Sequence, residues 1–95
     1  MAKVVDITEK LSFEENPKIM LKGELYEVNA DARTMLEIMG LFSNKSESEA
    51  VMLAYEKVFS EKDRKKIDEL NLSFKDFTKL IEVAMELIRG EDQGE

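Results

Sequence analysis

The side chains able to do chemistry in this chain are almost all carboxylates and amines. Histidine, cysteine and tryptophan are absent. Imidazole bases, thiolate nucleophiles, disulfides and the usual zinc ligand sets are thereby excluded together. Paired carboxylates of the kind used in acid–base catalysis occur as Glu14-Glu15 and Glu82-Glu86, but the patterning places both pairs at surface positions. Nothing there supplies the burial that tunes a catalytic carboxyl. An EF-hand reading from Asp68 fails, because ligand positions 3 and 5 fall on Leu70 and Leu72, the glycine position on Ser73 and the final glutamate position on Lys79. The glycines are scattered, so no phosphate-cradling loop forms, and a serine nucleophile has no base to activate it. The chain is therefore expected to be no enzyme and to carry neither cofactor nor metal.

The charge balance narrows the partners. Fourteen Lys and Arg against 21 Asp and Glu give a net charge of −7, and such a field repels phosphate backbones, which argues against nucleic acid. The one basic cluster, Lys62, Arg64, Lys65 and Lys66, is interleaved with Glu61, Asp63, Asp68 and Glu69. It reads as a solvated helix face with local salt pairing. With 43% hydrophobic and 37% charged residues, the composition is that of a soluble globular domain, too apolar for a disordered segment. No apolar run suits a signal peptide or a membrane span. The expected place is the cytoplasm.

These residues must be positioned by an α+β fold, mainly α. Residues 18–22 and 24–28 are two short runs of strand formers around Gly23, which predicts a β-hairpin. Residues 11–13 alternate and offer a third strand. From residue 29 the punctuation is helical. Ser46-Glu47-Ser48-Glu49 fits the capping box, while Ser60-Glu61-Lys62-Asp63 and Ser73-Phe74-Lys75-Asp76 are its aspartate form, so three helices start there. A further helix starts near Asn29 or Asp31 and runs to about Phe42. Gly90, after Leu87-Ile88-Arg89, has the chemistry of a helix end. A lone hairpin is marginal, so it is expected to lie on the bundle of about four helices. Residues 1–90 thus make one domain, and residues 91–95 an acidic frayed tail.

Helical periodicity assigns faces to these helices. The first places Ile38, Phe42, Met35, Met39 and Leu36 within an arc of about 160°, leaving Leu41 outside it. The last gathers Phe74, Phe77, Leu80, Ile81, Ala84, Met85, Leu87 and Ile88 on one wide face. The second carries two stripes, Ala50-Val51-Leu53-Ala54-Val58 and Met52-Tyr55-Phe59, which together span about 260° of its circumference. Either this helix is the centre of the bundle, or Met52, Tyr55 and Phe59, with Leu41, form a partner-binding surface of adaptable thioether and aromatic groups. Met35, Met39 and Met85 fall in core stripes and read as gap-fillers, whereas Met20 lies on the hairpin face opposite Ile19 and Leu21.

The order of these segments resembles the tail assembly chaperones of siphophages and prophages of Gram-positive bacteria. The resemblance runs over residues 11–90. It rests on the hairpin of residues 18–28, on Val28-Asn29-Ala30-Asp31-Ala32 leading into a Met/Leu/Ile helix, and above all on Asp63-Arg64-Lys65-Lys66-Ile67-Asp68-Glu69-Leu70-Asn71-Leu72-Ser73-Phe74-Lys75-Asp76-Phe77. It implies a protein that coats the tape measure protein in the host cytoplasm until tail-tube subunits replace it. It also implies a longer form, made by ribosomal frameshift, whose extra domain contacts the tail-tube protein. A virion structural or adaptor subunit and a small regulatory, antitoxin-like binder are the alternatives. A homo-oligomer stays open on any of the three.

Overall fold

The computed structural model describes residues 2–90. Along the chain run strands β1 (Lys18–Leu21) and β2 (Glu24–Glu27), then helices α1 (Ala32–Asn44), α2 (Glu47–Val58), α3 (Glu61–Glu69) and α4 (Phe74–Ile88). The protein is α+β and mainly α, with a two-stranded antiparallel hairpin ahead of four helices.

The hairpin forms because the Lys22-Gly23 pair makes its loop with positive φ at both residues, 52° and 81°. That backbone twist matches the twist of the flanking strands. The register pairs Ile19 with Tyr26 and Met20 with Leu25. Alternation then turns Ile19, Leu21 and Tyr26 inward and leaves Met20 and Leu25 exposed.

Each helix begins on a side-chain cap. Asp31 Oδ2 accepts from the Thr34 backbone N–H at 3.2 Å, and the Ser46, Ser60 and Ser73 hydroxyls accept from Glu49, Asp63 and Asp76 N–H at 3.3, 3.2 and 3.1 Å. These satisfy orphan donors of the first turn, each stabilising its helix by about 1 kcal/mol at the serine positions. At the far end, Gly90 takes φ +85° and its N–H donates to the Leu87 carbonyl at 3.0 Å. The left-handed stop is natural for glycine.

The core gathers around α2, which packs against α1, α3 and α4. Phe59, Ile38, Ile67, Val28 and Val58 are its largest fully buried side chains, each stabilising by about 1.5–3 kcal/mol through removal from water. The hairpin is stitched to this core at its exit. Asn29 donates from its backbone N–H to the Val58 carbonyl at 2.9 Å and from Nδ2 to the Lys57 carbonyl at 3.0 Å, satisfying the last carbonyls of α2.

Three expectations from the sequence are corrected here. Residues 11–13 form no strand; Leu11 and Phe13 are exposed, and Phe13 sits at φ 53°, a left-handed backbone that cannot continue a ladder. On α1 only Ile38 is fully buried, while Leu36, Met39 and Phe42 are exposed, because α2 covers just one side of the predicted arc. Met39 is accordingly no core gap-filler. Phe74, assigned to the inner face of α4, is 84% exposed, since the first residue of α4 projects beyond the helices it packs on. The expected tail, residues 91–95, lies outside the described residues.

Candidate protein-binding surface

The second stripe of α2 divides when seen in three dimensions. Tyr55 and Phe59 are 4% and 1% exposed, whereas Met52 is 52% exposed and Leu41 half-buried. Tyr55 and Phe59 therefore do not belong to a surface, and the central-helix reading of α2 is the one the fold bears out. The physical reason is α3, which folds back across this side of α2 and brings α4 with it.

Tyr55 is the hub of that packing. Its ring meets Phe59 at 5.9 Å and Phe77 at 4.9 Å between centroids, both edge-to-face, the arrangement aromatic quadrupoles favour. Its hydroxyl lies 2.8 Å from Asp68 Oδ1 and 3.0 Å from the Arg64 carbonyl, so one proton serves two acceptors. Burial first, and then the Asp68 carboxylate, hold that phenol proton well above the usual tyrosine range.

The residues around Tyr55 belong to the stretch that carries the family resemblance, and most of them are engaged within the chain. Arg64 Nη1 donates to the Glu56 and Phe59 carbonyls at 2.8 and 2.7 Å, closing the C-terminus of α2. Asp63 Oδ2 accepts from the Glu27 backbone N–H at 3.2 Å, and Lys66 Nζ meets Glu24 Oε1 at 3.2 Å, so both fasten α3 to the hairpin. That Glu24 contact raises the Lys66 ammonium's affinity for its proton. Within the basic cluster, which the sequence reads as a solvated face with local salt pairing, Lys62 and Lys65 are exposed while Arg64 and Lys66 act as fasteners. Asn71 turns the chain at φ 52°, Ser73 caps α4, and Phe77 meets Tyr55. The stretch fixes how α2, α3, α4 and the hairpin assemble.

What remains for binding is the apolar surface that the core does not use. Leu36, Met39 and Phe42 on α1, Met52 on α2 and Phe74 on α4 are all exposed. Of these, Phe42 is set into a depression of ≈ 500 Å³ between helices, together with Val51, Ile81 and Met85. Sequence reasoning singled out Met52 and Leu41 and missed Phe42 and Phe74. Helical periodicity had placed both on inner faces, and no signal in the chain reports how far a neighbouring helix extends. No helix among the described residues is long and apolar enough to cross a membrane.

The fold is therefore that of a small helical scaffold whose aromatic hub is internal and whose thioether and phenyl groups on α1, α2 and α4 face outward. Comparison of the chain with protein-family models, curated proteins and solved structures finds no match.

Proposed function

We propose that the protein is a non-catalytic binding module, a tail assembly chaperone that holds a phage tape measure protein in the host cytoplasm during tail morphogenesis. The observation that supports a binding role is the exposed apolar set Leu36, Met39, Phe42, Met52 and Phe74. Twelve large hydrophobic residues are exposed among the described residues, and apolar side chains left in water supply the material of a partner-binding surface. The net charge of −7 supports the choice of partner class, since it disfavours nucleic acid and keeps a protein with apolar flanks from self-associating at random. The phage partner itself is supported by the resemblance of residues 18–28, 29–32 and 63–77. A frameshifted longer form reaching the tail-tube protein belongs to the same reading.

The test is co-expression of the affinity-tagged chain with the tape measure protein encoded nearby. Co-purification and rescue of the tape measure from aggregation are expected. Failure to retain it at low salt overturns the reading. Mass spectrometry of purified particles then separates a chaperone, which leaves, from a structural subunit, which stays.

A further inference from the structure

Where the C-terminal end of α1 meets the start of α2 and the second half of α4, the surface is concave. Phe42, Val51, Ile81 and Met85 make its apolar floor. Phe42 is 45% exposed although its neighbour Ile81 is buried, so the floor is open to water on the α1 side. Thr78, Ile81 and Met85 follow one another on a single face of α4 over about 10 Å, which is two turns. The rim carries Glu47, Glu82 and Glu86 against one cation, Arg89. Lys79 lies 3.7 Å from Glu82, so the three carboxylates stand against two cations and leave an excess of one negative charge.

We infer that this groove seats an amphipathic helix of a protein partner, two to three turns long, whose apolar residues recur at i, i+3/i+4 and i+7 and whose flanking residues are lysine or arginine. The form of the occupant follows from the walls. All three are helices, so an extended peptide finds no strand edge there to pair with. A helix satisfies its own backbone and needs only side-chain ridges to fill the floor. The charge of the occupant follows from the rim, where carboxylates outnumber cations by one, and from the chain's net charge of −7, which together favour a basic segment. The inference rests on the binding-module reading, and it holds whether or not the partner is a phage protein.

The experiment uses the full chain, isotopically labelled, titrated with two synthetic 18-residue amphipathic peptides that share a leucine face and differ only in lysine or glutamate flanks. The lysine peptide is expected to bind about tenfold or more tighter at low salt and to shift the amide resonances of Phe42, Val51, Ile81 and Met85. Phe42→Asp, a change at an exposed position whose fold is checked by circular dichroism, should weaken it about tenfold. The pair Glu47→Lys with Glu82→Lys should reverse the preference between the peptides. Equal affinity of the two peptides, or shifts centred instead on Met20 and Leu25 of the hairpin, overturns the proposal. So does a concentration-dependent dimer abolished by Phe42→Asp, because the occupant is then a second copy. If the groove binds the lysine peptide and the tape measure protein is not retained, the phage reading fails while the groove stands. If Phe42→Asp retains the tape measure as well as the parent does, the groove fails as its site.

Discussion

Truncating the two buried aromatics of α2 separates a core from a binding surface. Tyr55→Ala removes a ring in contact with Phe59 and Phe77 and deletes the hydroxyl held by Asp68 and Arg64. Phe59→Ala empties a site that is 1% exposed. Large-to-small aromatic substitutions of this kind cost about 3–5 kcal/mol each, the spread reflecting how far a site can collapse. The two rings touch, so their cavities merge and the costs are not strictly additive. A combined loss of about 6–8 kcal/mol is between about half and all of the 5–15 kcal/mol that stabilises a typical domain. The double variant is expected to have lost its helical circular dichroism at 25 °C and to melt without a cooperative transition. Tyr55→Phe isolates the hydroxyl. Asp68 is exposed and regains water when the phenol is removed, so the cost is about 1–1.5 kcal/mol, or a melting-point drop of about 4–12 °C in a domain of this size. A double variant that keeps its cooperative transition and loses only partner binding would refute the burial of these rings.

Further expectations concern protonation and the fasteners. The unfolded Tyr55 phenol ionises around its ordinary value of 10.0, while the folded one holds its proton to higher pH. Its stabilising share is therefore complete below that value and lost as pH rises above it, so urea midpoints at about pH 11 should fall more for the parent than for Tyr55→Phe. Asp31 behaves in the opposite sense, because the hydrogen bonds from the Thr34 hydroxyl and backbone N–H hold its carboxyl below the ordinary 3.8. The cap's contribution is present above that pH and lost as pH falls through the lowered value, a loss that Asp31→Asn should remove in acid titrations followed by circular dichroism. Arg64→Lys keeps the charge but gives up the planar fork that reaches the Glu56 and Phe59 carbonyls. A loss of about 1–2 kcal/mol in urea denaturation is expected. Gly23→Ala places a Cβ at φ +81° and should cost about 1 kcal/mol through backbone strain alone, since nothing lies near the added carbon.

Local chemistry was readable from the chain, and neighbourhood was not. Ser46, Ser60 and Ser73 cap their own backbones, so three helix starts follow from side chains within four residues of each other. Gly23 and Gly90 likewise announce backbone angles that few residues adopt. Periodicity, by contrast, tells which residues share a face and says nothing of what covers that face. Leu36 and Met39 share α1 with Ile38, yet of the three only Ile38 is buried. Tyr55 and Phe59 looked like surplus apolar surface because their cover, α3, is a charged helix with a single fully buried side chain, Ile67. Its contribution to packing comes through Arg64 and Asp68, polar residues that a hydrophobic pattern ignores. The groove around Phe42 depends on three helix ends meeting, and no one segment encodes it.

The slightness of α3 has a consequence for how the molecule breathes. A nine-residue helix is too short to persist alone, and this one is retained by Ile67, two Arg64 bonds, the Tyr55 hydroxyl and ties to Asp63 and Lys66. It is therefore expected to open as one piece, ahead of the α1, α2 and α4 packing. Its backbone amides should exchange with deuterium ahead of those of α2, and together, at a common rate. Each such opening uncovers the Tyr55–Phe59 pair for a moment, so the aromatic hub of the folded molecule is also the first part of its interior that solvent, or a protease, can reach.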